Sequence, residues 1–205
     1  MARKNVILLH TDQQRFDSLG CNGNRFARTP NIDALAESGT VFTRHVTANP
    51  ICSPSRASLL TGLYPPGHNL WCNGVALNRR EYAVFDGRYE ETAGNYVPEP
   101  PTMADMFLAA GYDTAGFGKL HLTPYLSPPS WRYPETTANW QNGTFTDWHG
   151  PYYGFAHCEL TLSHGEGACS FAHYGEWLRR EHPEALERLR EQQPRPFPEL
   201  GDLYV

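Results

Sequence analysis

The stretch TMADMFLAAGYDTAGFGKLHL, residues 102–122, changes its period once. Met103, Met106 and Phe107 recur at three- and four-residue spacing, which places them on one helical face, and Gly111 stands where such a helix stops. YDTAGFG then reads as a short strand, with Lys119 and His121 delivered at its carboxyl end. Helix followed by strand is the rhythm of an α/β chain, whose sheet binds ligands beyond the carboxyl ends of its strands. Polar residues gathered there are candidates for chemistry.

The same rhythm runs upstream. NVILLHTD, residues 5–12, is a branched-aliphatic run ending in polar residues, the pattern of a strand buried on both faces, with Asp12 at its end. TPNIDALAESG, residues 29–39, predicts a helix with Thr29 as cap, Pro30 in the first turn, Ile32, Leu35 and Ala36 on one face and Gly39 as the stop. TVFTRHVTA, residues 40–48, predicts a second strand. In ICSPSRASLLTG, residues 51–62, Cys52 or Ser53 can cap and Pro54 suits a first turn, so a helix begins at the cysteine. A cysteine in that position is either a nucleophile or a small buried residue.

Downstream the pattern breaks. From residue 123 to 155 the chain is rich in Pro, Trp, Tyr and Asn without periodicity and reads as a long loop. Trp131, Trp140, Trp148, Tyr152 and Tyr153 would pin that loop down, with a cage for a quaternary ammonium group as the alternative. GEWLRREHPEALERLREQQ, residues 175–193, predicts two helices, the second starting at Pro183. His164 and His173 lie in the variable stretch between loop and helices and either face a pocket or satisfy local hydrogen bonds.

Composition bounds the function. The chain has 205 residues, 40 % of them apolar, enough for one core. Its formal charge is −5 with scattered acidic residues, so no basic footprint for nucleic acid is present. The apolar run near residue 6 is too short for a membrane span or signal core, and the expected setting is cytoplasmic. Five cysteines without CxxC spacing argue against a disulfide framework and a structural zinc site.

Cys52, Pro54 and Arg56, in the order Cys-x-Pro-x-Arg and followed by ASLLTG, resemble the signature of the type I sulfatases. In that family a formylglycine-generating maturation enzyme oxidises the cysteine to formylglycine. NVILLHTDQQ, TPNIDALAESGTVF and GYDTAGFGKLHL resemble further family segments, and YYGFAHCELTLSHGEG a more variable one. The resemblance implies the alkaline phosphatase fold, a mixed, largely parallel sheet between helical layers, here apparently incomplete. It divides the chain into a motif-bearing core at 5–125, an aromatic and Pro-rich loop at 126–160 and a helical segment at 161–205.

The resemblance also implies roles. Residue 52, as a hydrated aldehyde, attacks the sulfur of a small-molecule sulfate ester and later re-forms the aldehyde to expel sulfate. Arg56 holds the nucleophile, and Lys119 and His121 hold the sulfuryl oxygens or the leaving group. Asn73 resembles a pocket asparagine, though Asn-Gly is equally a turn signal, and His164 is a further substrate-binding candidate. Asp12, Gln13 and residue 52 ligate a divalent metal, calcium first, with manganese or magnesium as alternatives. Most sulfatases carry a second aspartate where this chain has Gln13, which is also similar to the phosphonate monoester hydrolase and choline-sulfatase branches. A phosphonate or phosphate ester is therefore an alternative substrate. Three protein ligands fall short of the roughly six to eight oxygens that calcium takes. The expectation is of an N-terminal part needing a C-terminal half, with little activity by itself and an open sheet edge that favours homo-oligomers.

Overall fold

The computed structural model describes residues 3–79, 99–162 and 171–191. The chain divides into two compact units, residues 1–46 and 47–205.

In the first unit, helix α1 (Pro30–Ser38) begins where the Thr-Pro pair predicts. Thr29 does not cap it. Its hydroxyl accepts from the Gly20 N–H at 2.8 Å and donates to Asp33 at 3.0 Å, while Asp33 also accepts from the Cys21 N–H at 2.7 Å. A 3-10 turn (Gly20–Asn22) is thereby clasped to the first turn of α1. The expected strands at 5–12 and 40–48 are not formed. Val6, Ile7, Leu8 and Leu9 are exposed, as are Ile32 and Leu35 of α1. An aliphatic run records fitness for burial between neighbouring strands, and among the described residues none pairs with it.

The second unit opens with α2 (Cys52–Thr61), which buries Ser53, Pro54, Arg56, Ala57 and Leu60 and ends at Gly62 in the left-handed conformation. A short α3 (Pro65–His68) folds back on it: Ser58 and His68 share a 2.9 Å hydrogen bond, and the Leu70 N–H donates to His68 Nδ1. Helix α4 (Met103–Ala109) has a capping box between Thr102 and Asp105. Its buried position is Ala104, whereas Met106 of the expected apolar face is exposed. Strand β1 (Ala115–Gly118) follows, as predicted, and pairs in parallel with β2 (His157–Leu160), Ala115 opposite His157 and Gly118 opposite Leu160. Helices α6 (Ala172–Glu181) and α7 (Pro183–Glu191) close the described chain, the second beginning at the proline. None of the described helices is long and apolar enough to cross a membrane.

A parallel pair needs a long crossover, and here the supposed loop supplies it. It is the core rather than a surface excursion. Tyr133, Trp140, Phe145, Tyr152 and Tyr153 are buried with Leu70, Leu77, Leu122, Cys158 and Leu160, and a helical turn, α5 (Thr137–Gln141), interrupts the irregular chain. Two of the polar tips reach backbone acceptors: Trp140 Nε1 donates to the Pro134 carbonyl at 2.7 Å and Tyr153 Oη to the Leu77 carbonyl at 2.6 Å. These bonds bear out the pinning reading of the aromatics.

Glu135 lies at the centre, 3 % exposed. It accepts from the backbone N–H groups of His121, Leu122 and Thr123 and from Tyr152 Oη at 2.6 Å. Burial pushes its carboxyl pKa up against the pull of these donors. The Cys158 thiol, buried and near Glu135 and Glu159, is pushed up to about 12.

Glu135→Leu leaves three buried N–H groups without their acceptor, each costing about 1–3 kcal/mol. We expect a loss of at least about 3 kcal/mol in urea unfolding, against about 1 kcal/mol for Tyr152→Phe. Equal losses would remove Glu135 from its organising role.

His68 and His173 provide a second check. Burial lowers the pKa of both, and each accepts a backbone N–H at Nδ1, which requires a neutral ring. Because the folded values lie below the unfolded one, their contribution is complete above about pH 6.5 and is lost as pH falls below it. Thermal melts between pH 7.5 and 5 should show this loss, with a flatter profile for His68→Gln; identical slopes would contradict it.

Candidate active site

Helix α2 starts where the chain leaves an extended Ile51. Neither Cys52 nor Ser53 caps it, since the helix begins at Cys52, two residues earlier than a cap at Ser53 requires. Asn49 Oδ1 accepts from the Ile51 N–H at 2.8 Å, and Asn73 Oδ1 accepts from the Ser53 N–H at 3.1 Å. Asn73 thus caps the helix from twenty residues away, a placement that no local sequence signal reveals. Cys52, half-buried, occupies the first helical position, near the positive end of the helix dipole.

Arg56 lies one turn further on and is 6 % exposed. Its Nη1 donates to the carbonyl oxygen of Lys119, tying α2 to the end of β1. A buried guanidinium with a fixed direction is the opposite of a solvated surface charge. Lys119 itself is half-buried and leaves β1 beside Gly118, whose positive φ turns the chain. His121 is buried, adopts a left-handed backbone (φ 53°), and packs its ring on Tyr125 at 5.3 Å. Cys52, Arg56, Lys119 and His121 therefore stand on two segments that the Arg56–Lys119 hydrogen bond joins. Glu135, the residue that fixes the second segment, belongs to no motif and was not anticipated.

The remaining candidates differ. Asp12 and Gln13 lie exposed in the first unit, Gln13 with φ 52°. A carboxylate and an adjacent amide are both oxygen donors, the chemistry a hard divalent cation takes. His164 falls outside the described residues. His173 is a satisfied structural histidine: Nδ1 accepts from the Leu160 N–H at 2.8 Å, and Nε2 bonds the Trp148 carbonyl at 2.7 Å. Cys21, Cys52, Cys72 and Cys158 are all free thiols.

A family model described as Sulfatase matches residues 4–169. The chain belongs to the sulfatase family. Steryl-sulfatase of Mus musculus is 39 % identical over 118 residues, 58 % of this chain and 18 % of that protein. Arylsulfatase of Clostridium perfringens is 38 % identical over 124 residues, 60 % of this chain and 22 % of that protein. The sulfatase chain thus spans about a fifth of the length of these curated relatives. The crystal structure of the phosphonate monoester hydrolase of Agrobacterium radiobacter aligns with a TM-score of 0.54 at 31 % identity, over 85 % of this chain and 28 % of that one. The α/β arrangement is that of the alkaline phosphatase superfamily.

The cap gives a test. Asn73→Ala removes the acceptor for the Ser53 N–H and should cost about 1 kcal/mol, whereas Asn73→Asp keeps it and adds a charge favourable at this helix end. Chemical unfolding in which both variants lose equally would show that the hydrogen bond does not hold α2.

Proposed function

We propose that this sulfatase chain carries the nucleophile of a metal-dependent sulfuric ester hydrolase, Cys52 being oxidised to formylglycine by a maturation enzyme. The observation that carries the reading is the placement of Cys52 at the first position of α2, with Arg56 of the same motif buried and bonded to the Lys119 carbonyl. Arg56 orients the nucleophile's side of the helix. Lys119 supplies a cation for a sulfuryl oxygen, and the helix N-terminus favours negative charge beside residue 52. His121, being buried, serves this site by positioning the segment that bears Lys119, so its variants should act through Lys119. Asp12 and Gln13 are the residues in this chain that would hold the divalent cation, calcium first. When bound, such an ion lowers the pKa of an attacking oxygen and offsets the charge of an anionic ester.

A second reading keeps the site and exchanges the ester for a phosphonate monoester or phosphodiester. Gln13 in place of a second carboxylate and the likeness to the Agrobacterium hydrolase favour it. In any preparation that turns over either substrate, competition between an aryl sulfate and an aryl phosphonate monoester separates the two.

The test of the nucleophile is chemical. Co-expression with a maturing enzyme should convert residue 52, seen in peptide mass spectra as loss of sulfur and gain of a hydrazide-reactive carbonyl. Cys52→Ser should remain unconverted by a cysteine-specific enzyme. An intact thiol at residue 52, under conditions that mature a control sulfatase, would overturn the assignment.

A further inference from the structure

Away from Cys52 and its neighbours, three side chains converge on one side of β2. His149 Nδ1 lies 2.8 Å from Glu159 Oε1, and His157 Nε2 lies 3.1 Å from the same oxygen. One donor atom from each residue falls within 4.8 Å of the other two. We infer that His149, His157 and Glu159 form a second metal site, for Zn2+ or a similar borderline divalent cation, separate from the hard-cation chemistry proposed for Asp12 and Gln13.

The donor set selects the metal. Two imidazoles and one carboxylate suit zinc, copper or nickel far better than calcium, which takes oxygen. Zinc bonds of about 2.1 Å in tetrahedral geometry hold ligand atoms about 3.4 Å apart, so the two contacts to Glu159 need to open by only a few tenths of an ångström. Exposure of 49 % for each imidazole and 35 % for Glu159 gives an ion access and leaves water the fourth position.

The frame beneath the donors is built. His157 and Glu159 alternate with buried Cys158 and Leu160, so strand geometry projects both to the same side. The Cys158 N–H donates to the His149 carbonyl at 2.7 Å, which locks the third donor beside them. His173 bonds Trp148 with one ring nitrogen and Leu160 with the other, clamping the positions next to His149 and Glu159. With both nitrogens engaged, His173 supports the site without being a ligand. The rings of His149 and His157 are already parallel within 2° at 5.6 Å. Zinc here would cross-link His149 to β2, stabilising the fold through binding.

The full chain, stripped with chelator and kept in calcium, is titrated with Zn2+ by calorimetry and melted with and without it. One zinc should bind and raise the melting temperature. His149→Ala, His157→Ala and Glu159→Gln should each weaken binding at least about tenfold. All three positions are partly exposed, and their metal-free melting temperatures check that the variants fold. A Cys21→Ala/Cys72→Ala variant should bind as the parent does, and X-ray absorption should show nitrogen and oxygen neighbours. Sulfur in that shell, or unchanged affinity in the three variants, would overturn the site.

Discussion

A single carboxylate organises the described part of the second unit. Glu135 takes the N–H groups of three successive residues, 121 to 123, and the hydroxyl of Tyr152. Burying a carboxyl group is costly, and the hydrogen bonds it accepts offset part of that cost. The geometry they impose is specific: the chain leaves β1, turns through a left-handed His121 and presents the Lys119 carbonyl to Arg56. Without that acceptor the segment following β1 loses three of its backbone hydrogen bonds at once, and the Lys119 carbonyl on which α2 is anchored is held less firmly.

The parts that were legible in the sequence are those written in local chemistry. Pro30, Pro54 and Pro183 mark first turns, and Gly111 stands just beyond the end of α4. Strand β1 and its polar end were legible for the same reason. The aliphatic runs at 5–12 and 40–48 encode a preference that only a neighbouring strand can satisfy, so pattern alone overstated them. The aromatic stretch was misread in the other direction. Its burial has no period because irregular backbone runs through the core with many of its polar groups paired singly, as Thr136 with Ser127 and Asn139 with the Tyr133 carbonyl.

The candidate site shows the same division. Cys52 and Arg56 share a motif and a helical turn, so their proximity is implicit in four-residue spacing. Asn73 carried two readings, pocket residue and turn former, and the structure gives it a third task at the helix end. Glu135 has no distinguishing neighbours in the linear chain, and its importance lies wholly in what reaches it from elsewhere. Sequence motifs report the residues that touch a reacting group better than those that hold them in place.

The buried guanidinium of Arg56 also bears on timing. Its acceptor, the Lys119 carbonyl, is 63 residues further along the chain, and the Asn73 cap is 20 residues beyond Ser53. The Asn73 cap can form only after residue 73 has been synthesised and the Arg56 bond only after residue 119, and until then an isolated helix as short as α2 is marginal in water. Cys52, Pro54 and Arg56 are then readable as an unfolded peptide. Once α2 docks, the proline and arginine disappear into the core. The maturation enzyme proposed for Cys52 would have a kinetic window rather than a surface to work on, bounded by the rate at which the nascent chain closes its long-range contacts.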